Sequence, residues 1–177
     1  MTQVSPEDAV SGESLWLLLK NLFFLVLVPG TFGFYVPLRL IVRRGLSSVV
    51  WGPLELAALA PVAAGAAGLV WCIWHFGATG RGTPAPFDPP TRLVVRGLYR
   101  HVRNPMYLSL LCVILGWALL LRSLAIVEYA AGCWLLIHLF VIGVEEPGLR
   151  ARFGEPYAEY CRAVRRWVPG RRYQPKA

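Results

Sequence analysis

The chain has 177 residues, of which 56% are hydrophobic and only 16% charged, and its mean hydropathy is +0.51. Soluble chains carry about 25% charged residues, so this one has too few to cover a water-facing surface, which excludes a soluble globular domain. The net charge of +8 does not indicate nucleic acid, because the basic residues flank apolar runs and sit in no nucleic-acid motif; a collar against the anionic lipid of a bilayer is the plainer reading.

The N-terminal stretch "MTQVSPEDAVSGES" is polar and acidic and lacks the basic flank of a secretory signal. The first apolar run is therefore expected to stay as a membrane anchor. Four runs approach the ~20 residues needed to cross a bilayer. The first extends from about Leu15 to Val42 and is interrupted by Pro29-Gly30 and Pro37, which predicts a kinked or broken helix. The second, from about Leu54 to Phe76, is rich in Ala and Gly, residues that permit close helix packing. It ends in "WCIWHF", where Trp71, Trp74 and His75 suit an interfacial belt.

Next comes "GATGRGTPAPFDPPTRLVVRGLYRHVR", whose four prolines between Pro84 and Pro90 exclude regular helix. The third apolar run covers about Pro105 to Leu121 and the fourth about Leu124 to Val144. Only Arg122-Ser123 separates them, which forces an antiparallel hairpin. The expected fold is thus all-α and polytopic, with about four transmembrane helices (four to five). The N-terminal helices occupy residues 1–76. A core of loop, hairpin (105–144) and tail occupies residues 77–177.

In the tail, Leu149, Phe153, Tyr157, Cys161, Val164 and Val168 recur at steps of three and four, painting one apolar stripe on a helix. Gly154 and Pro156 allow two shorter helices in its place. An amphipathic helix lying in the membrane plane is expected. Five Lys or Arg lie between Arg81 and Arg103 and eight between Arg150 and Lys176. Four spans put all of these on one side and leave Arg39, Arg43, Arg44 and Arg122 on the other. The positive-inside rule then turns the loop and tail to the cytoplasm of a cytoplasmic (inner) membrane. Cys72, Cys112, Cys133 and Cys161 show no C-x-x-C or metal-ligand spacing, so neither a redox role nor a metal site is expected.

The hairpin brings two polar clusters together. Asn104-Pro105 opens the third span and Glu145-Glu146-Pro147 closes the fourth, so the carboxylates face Arg100, His101, Arg103 and Asn104 at one depth. Carboxylates near hydrocarbon are costly unless paired and by default mark function. Tyr99, Tyr107, Tyr157 and Tyr160 bracket the same zone. Elsewhere, His138 and Glu128 lie within the fourth run and read as polar contacts between helices. Glu55 opens the second span, where an acid at a helix N-terminus is simply favourable.

The ordered set "RNPMY", "LGWA" and "EEP" resembles membrane methyltransferases that modify phosphatidylethanolamine. "GLYRHVRNPMY" with "EE", "FGEPYAEY" and "RRWVP" is similar to isoprenylcysteine carboxyl methyltransferases. The likeness covers about Gly97 to Pro169 and implies an S-adenosylmethionine-dependent enzyme that methylates a lipid-like or other apolar acceptor. By this resemblance Tyr99, Arg100, His101, Asn104, Pro105, Tyr107, Glu145 and Glu146 line the cofactor site. Tyr157, Tyr160 and the Arg165–Pro169 segment close over it. Arg103 or Arg165 holds an acceptor's phosphate or carboxylate, and Glu146 is the candidate base for an amine nucleophile. The carboxyl methyltransferases carry His where this chain has Asn104, which leans away from a prenylcysteine acceptor. The phospholipid enzymes have a G-x-G element near the end of the preceding span; here Gly80-Arg81-Gly82 sits in the loop beyond it. No glycine fingerprint between strand and helix is present, which excludes a Rossmann methyltransferase.

Two other classes compete. A small four-helix transporter would use a membrane-embedded acid such as Glu128. An NADPH-dependent membrane reductase is the third reading, since sterol reductases resemble the same C-terminal core. The cofactor that raises the melting temperature separates the last from the first. The sequence is silent on oligomeric state.

Overall fold

A computed structural model of the chain describes residues 16, 19–43, 52–75 and 93–174. Gly80-Arg81-Gly82, the prolines from Pro84 to Pro90, Arg44 and the N-terminal polar segment lie outside them. The described residues are helical, with no strand among them. Three helices are long and apolar enough to cross a membrane, and a shorter apolar one accompanies them.

Helix α1 covers Leu19–Leu40. Its middle, Val26–Tyr35, is wound as a π-helix, and the Val36 N–H bonds the Thr31 carbonyl five residues back. The helix does not break at Pro29-Gly30; these wider turns carry it through. Proline removes a donor and crowds the preceding turn, and π-winding accommodates both without ending the helix. The last turns run on as Val36–Arg43.

Helix α2 (Pro53–His75) packs along the whole of α3 (Pro105–Leu120). Small residues allow the contact: a Cβ on Gly65 would fall 2.5 Å from the Ser109 carbonyl oxygen, and one on Gly116 would fall 2.6 Å from Val62. Ala- and Gly-rich α2 therefore does what its composition implied. Helix α3 is the central element, with Val113 and Ile114 wholly buried.

Arg122, in a left-handed conformation (φ 47°), turns the chain into α4 (Leu124–Phe140). Arg122 also grips Glu55 through Nη2 at 2.7 Å and Nε at 2.9 Å. The second Glu55 oxygen accepts the Gly52 N–H at 3.0 Å. Glu55 is thus more than a favourable charge at a helix start: buried, it fastens the beginning of α2 to the hairpin tip. At the opposite end of the bundle, Gly97 (φ +55°) lies so close to Trp71 and His75 of α2 that any Cβ would clash. The loop, the start of α3 and the end of α4 therefore share one end of the molecule, as the hairpin argument requires.

Beyond α4 a π-turn, Val141–Glu145, leads into α5 (Glu146–Phe153) and then α6 (Glu155–Ala163). Gly154 (φ 56°, ψ −131°) separates the last two. The split anticipated at Gly154 and Pro156 is real. Along the apolar stripe, Leu149, Phe153, Tyr157, Cys161 and Val164, together with Tyr160, pack with Leu93 and Val95 of the loop. Val168, the last member of the stripe, is left exposed.

Candidate active site

The site begins with the π-turn. Pro147 has no N–H to give the Gly143 carbonyl, and the Glu146 N–H instead reaches Val141, five residues back. Single π-turns recur at functional positions because they re-aim side chains. Consecutive residues on a helix point about 100° apart, so the paired carboxylates diverge. Glu145 turns to α3 and accepts the Tyr107 hydroxyl at 3.0 Å. Glu146 turns to the tail.

Glu146 is buried and held by two guanidiniums. Arg166 binds it through Nε at 2.6 Å and Nη2 at 2.9 Å, one bond to each oxygen. Arg103 adds an Nη1 contact at 3.1 Å and also donates from Nη1 to the Cys161 sulfur at 2.8 Å. Bidentate carboxylate–guanidinium pairs of this kind are the strong, directional ones. The Glu146 carboxylate in turn holds the Arg166 guanidinium charged more firmly than usual. The Arg103 Nε is buried and has no hydrogen-bond acceptor among the described residues. Glu145, Glu146, Arg103 and Arg166 thus gather as a charge quartet at the hairpin mouth, in which Glu146 engages both arginines and Glu145 bonds Tyr107.

The backbone around the quartet is stitched between loop and tail. The Arg103 N–H donates to the Arg165 carbonyl at 2.9 Å, Gly170 N–H to His101, and Tyr173 N–H to Arg100. The Asn104 amide donates to the Arg166 carbonyl at 3.2 Å. Asn104 also precedes α3, with Pro105 at the first helical position, where a missing N–H costs nothing. The Tyr160 hydroxyl donates to the Tyr99 carbonyl at 2.6 Å. Burial pushes the Tyr99, Tyr157 and Tyr160 phenols well above their ordinary range, so they remain hydrogen-bond donors.

Of the residues singled out from sequence, the structure gathers Arg103, Asn104, Pro105, Tyr107, Glu145 and Glu146 at the mouth of the hairpin. Tyr99, Tyr157 and Tyr160 pack beneath them. Arg100 and His101 bond elsewhere: Arg100 Nε donates to the Val95 carbonyl, and His101 Nδ1 meets the Gly170 carbonyl at 3.2 Å. Arg165 projects its side chain to the exterior and contributes its carbonyl alone, whereas its neighbour Arg166 reaches Glu146. Arg166 is the principal residue that sequence reasoning did not single out. After α6 the chain is extended at Val164 (φ −116°, ψ 128°), so successive side chains alternate sides: Val164 inward, Arg165 outward, Arg166 inward. His138 does make a polar contact, but with the tail: it accepts the Trp167 indole N–H at 3.0 Å. No cluster of three or more metal-ligating side chains occurs among the described residues.

A bundle of helices long and apolar enough to cross a bilayer, with paired charges at the mouth of its hairpin, defines an integral membrane protein. A family profile for phospholipid methyltransferases matches residues 54–156, which straddle the boundary between N-terminal helices and core. The chain belongs to the phospholipid methyltransferase family. Membership makes it a membrane methyltransferase acting on phospholipid-like substrates. An uncharacterized protein of Haemophilus influenzae is 39% identical over 67 residues, covering 36% of this chain and the whole of that protein. No solved structure matches the chain.

Proposed function

We propose that the protein transfers a methyl group from S-adenosylmethionine to a phospholipid-like acceptor at the cytoplasmic face of the membrane, with the cofactor held at the mouth of the α3–α4 hairpin. The observation that carries this is the incomplete satisfaction of the charge quartet. Glu146 occupies Arg166 and one edge of Arg103, which leaves the buried Arg103 Nε without an acceptor and gives Glu145 one phenol as partner. A carboxylate and a guanidinium with capacity to spare fit the ammonium and carboxylate of an amino-acid moiety. S-adenosylmethionine has such a moiety, and when bound it supplies an electrophilic sulfonium methyl group.

The chain's own residues then have separable duties. Glu145 accepts from the ammonium, and Tyr107 orients Glu145. Arg103 forks onto the carboxylate with its free edge. Both Glu146 oxygens are committed to guanidiniums, so Glu146 anchors the tail over the site rather than serving as a base. Asn104 fixes the tail through the Arg166 carbonyl. Methyl transfer from a sulfonium requires alignment of the nucleophile and exclusion of water more than covalent help, and a tail clasped over the hairpin mouth supplies both. The acceptor approaches laterally from the bilayer and the cofactor from the aqueous side that the basic loop and tail define.

Calorimetric titration of S-adenosylmethionine into purified protein in detergent tests the reading. Wild type is expected to bind saturably. Glu145→Gln and Arg103→Ala each lose a charge-assisted hydrogen bond of about 1.5–3 kcal/mol, roughly ten- to a hundredfold in affinity. Folded wild-type protein that takes up no S-adenosylmethionine would refute the proposal. Normal binding by both variants would refute the site while leaving the enzyme class.

A further inference from the structure

One polar group in α4 lies apart from the charge quartet. His138 is half-buried between two indoles. The Trp134 ring stacks on it at 5.2 Å with an interplanar angle of 11°, and Trp167 lies tilted at 5.9 Å. Trp167 donates its indole N–H to His138 Nδ1 at 3.0 Å. Indole nitrogen is a donor and never an acceptor, so Nδ1 carries no hydrogen and the neutral imidazole must hold its proton on Nε2. The result is an N–H donor of fixed tautomer and fixed ring plane. Nε2 has no partner among the described residues.

Its surroundings are apolar. Val127, Trp134 and His138 recur at steps of seven and four and so share one face of α4. Val127 and Trp134 are exposed, as are Leu124 and Leu115 toward the hairpin tip. Between α3 and α4 at that tip lies an apolar groove of about 430 Å³ lined by Leu115, Ala118, Leu119, Leu124 and Val127, among others. In a bilayer this face meets acyl chains, which offer a donor nothing. His138 sits seven residues before Glu145, roughly 10 Å along the helix axis. That separation is close to the reach from the glycerol esters of a phospholipid to its headgroup amine. An unmet N–H in hydrocarbon is strongly unfavourable, so its natural partner is an oxygen that arrives with the substrate.

We propose that His138, its tautomer set by Trp167 and its ring clamped by Trp134, is a positioning residue for the acceptor, donating Nε2–H to an ester carbonyl or phosphate oxygen of a glycerophospholipid whose acyl chain lies along the α4 face. This rests on the reading of the hairpin mouth as the methyl-transfer site. It adds a second point of attachment that fixes the depth of the lipid, and hence which headgroup atom reaches Glu145. Trp167 follows Arg166 directly, so the tail that closes the quartet also sets the donor.

The experiment measures retention of radiolabelled dioleoylphosphatidylethanolamine by the immobilised full-length protein in maltoside micelles, in parallel with S-adenosylmethionine titration. His138→Leu is expected to weaken lipid retention by roughly tenfold, the equivalent of one hydrogen bond, with S-adenosylmethionine affinity unchanged. His138→Gln, which can both accept from Trp167 and donate onward, is expected to restore most of it. Wild-type retention by His138→Leu would overturn the proposal. Equal loss in the Leu and Gln variants, accompanied by a lower melting temperature, would also overturn it, by showing that the imidazole only docks the tail. If wild type fails to bind S-adenosylmethionine but the lipid pattern holds, the methyl-donor reading falls and the lipid subsite stands.

Discussion

Arg165 and Arg166 are chemically identical neighbours with opposite fates, and replacing each by alanine separates tertiary geometry from local charge. Arg166→Ala removes both bonds to Glu146, at 2.6 and 2.9 Å. The carboxylate, with a side-chain exposure of 8%, then keeps Arg103 at 3.1 Å as its one remaining salt-bridge partner among the described residues. Breaking a buried ion pair costs about 3–5 kcal/mol when the residual charge is abandoned. Here Arg103 stays and the Arg166 side chain is 31% exposed, so a loss of about 2–3 kcal/mol is expected. For a chain of this size that is a fall of roughly 5–10 °C in Tm. Arg165→Ala keeps the carbonyl that the Arg103 N–H uses and deletes an exposed side chain, so its change should stay within about 0.5 kcal/mol. Thermal unfolding of both variants in one detergent is the assay. A double-mutant cycle of Arg166→Ala with Glu146→Gln isolates the pair and should return a coupling of about 2 kcal/mol. A coupling near zero, or Arg165→Ala as damaging as Arg166→Ala, would mean that the tail does not clasp Glu146 in this register.

Three further substitutions probe the scaffold. Gly65→Val pushes a side chain into the Ser109 backbone, and overpacking of this kind should cost about 1–3 kcal/mol or prevent stable insertion, read as loss of a monodisperse peak in detergent. Gly154→Ala forces a residue with a Cβ into φ 56°, ψ −131°; with open space around the position, the cost of about 1–3 kcal/mol is backbone strain alone, and a higher Tm would contradict the assigned conformation. Arg122→Ala strips Glu55 of its ionic partner at the far end of the bundle, so Tm should drop while S-adenosylmethionine affinity holds; a selective loss of cofactor binding would mean that the two ends are coupled.

The spans and the hairpin were legible in the sequence because bilayer thickness fixes a helix length and two residues cannot join helices in any way but antiparallel. The same constraint brought Asn104 and Glu145-Glu146 to one end. Side-chain partners were another matter. No local pattern distinguishes Arg165 from Arg166, because the parity of an extended segment depends on where α6 ends and what its first residue packs against. Val164, inserted beside Leu93 and Val95, sets that parity. Likewise Glu55 and Arg122 are 67 residues apart, and His138 and Trp167 are 29 apart. Their pairing follows from how α2 lies on α3 and how the tail folds back over α4. Sequence alone determined which segments enter the membrane and which of their ends are neighbours, since burial of apolar length is a property of each segment. Only the tertiary structure decided which charges meet and which oxygens and nitrogens stay open, since a directional bond of about 3 Å depends on the relative placement of distant elements.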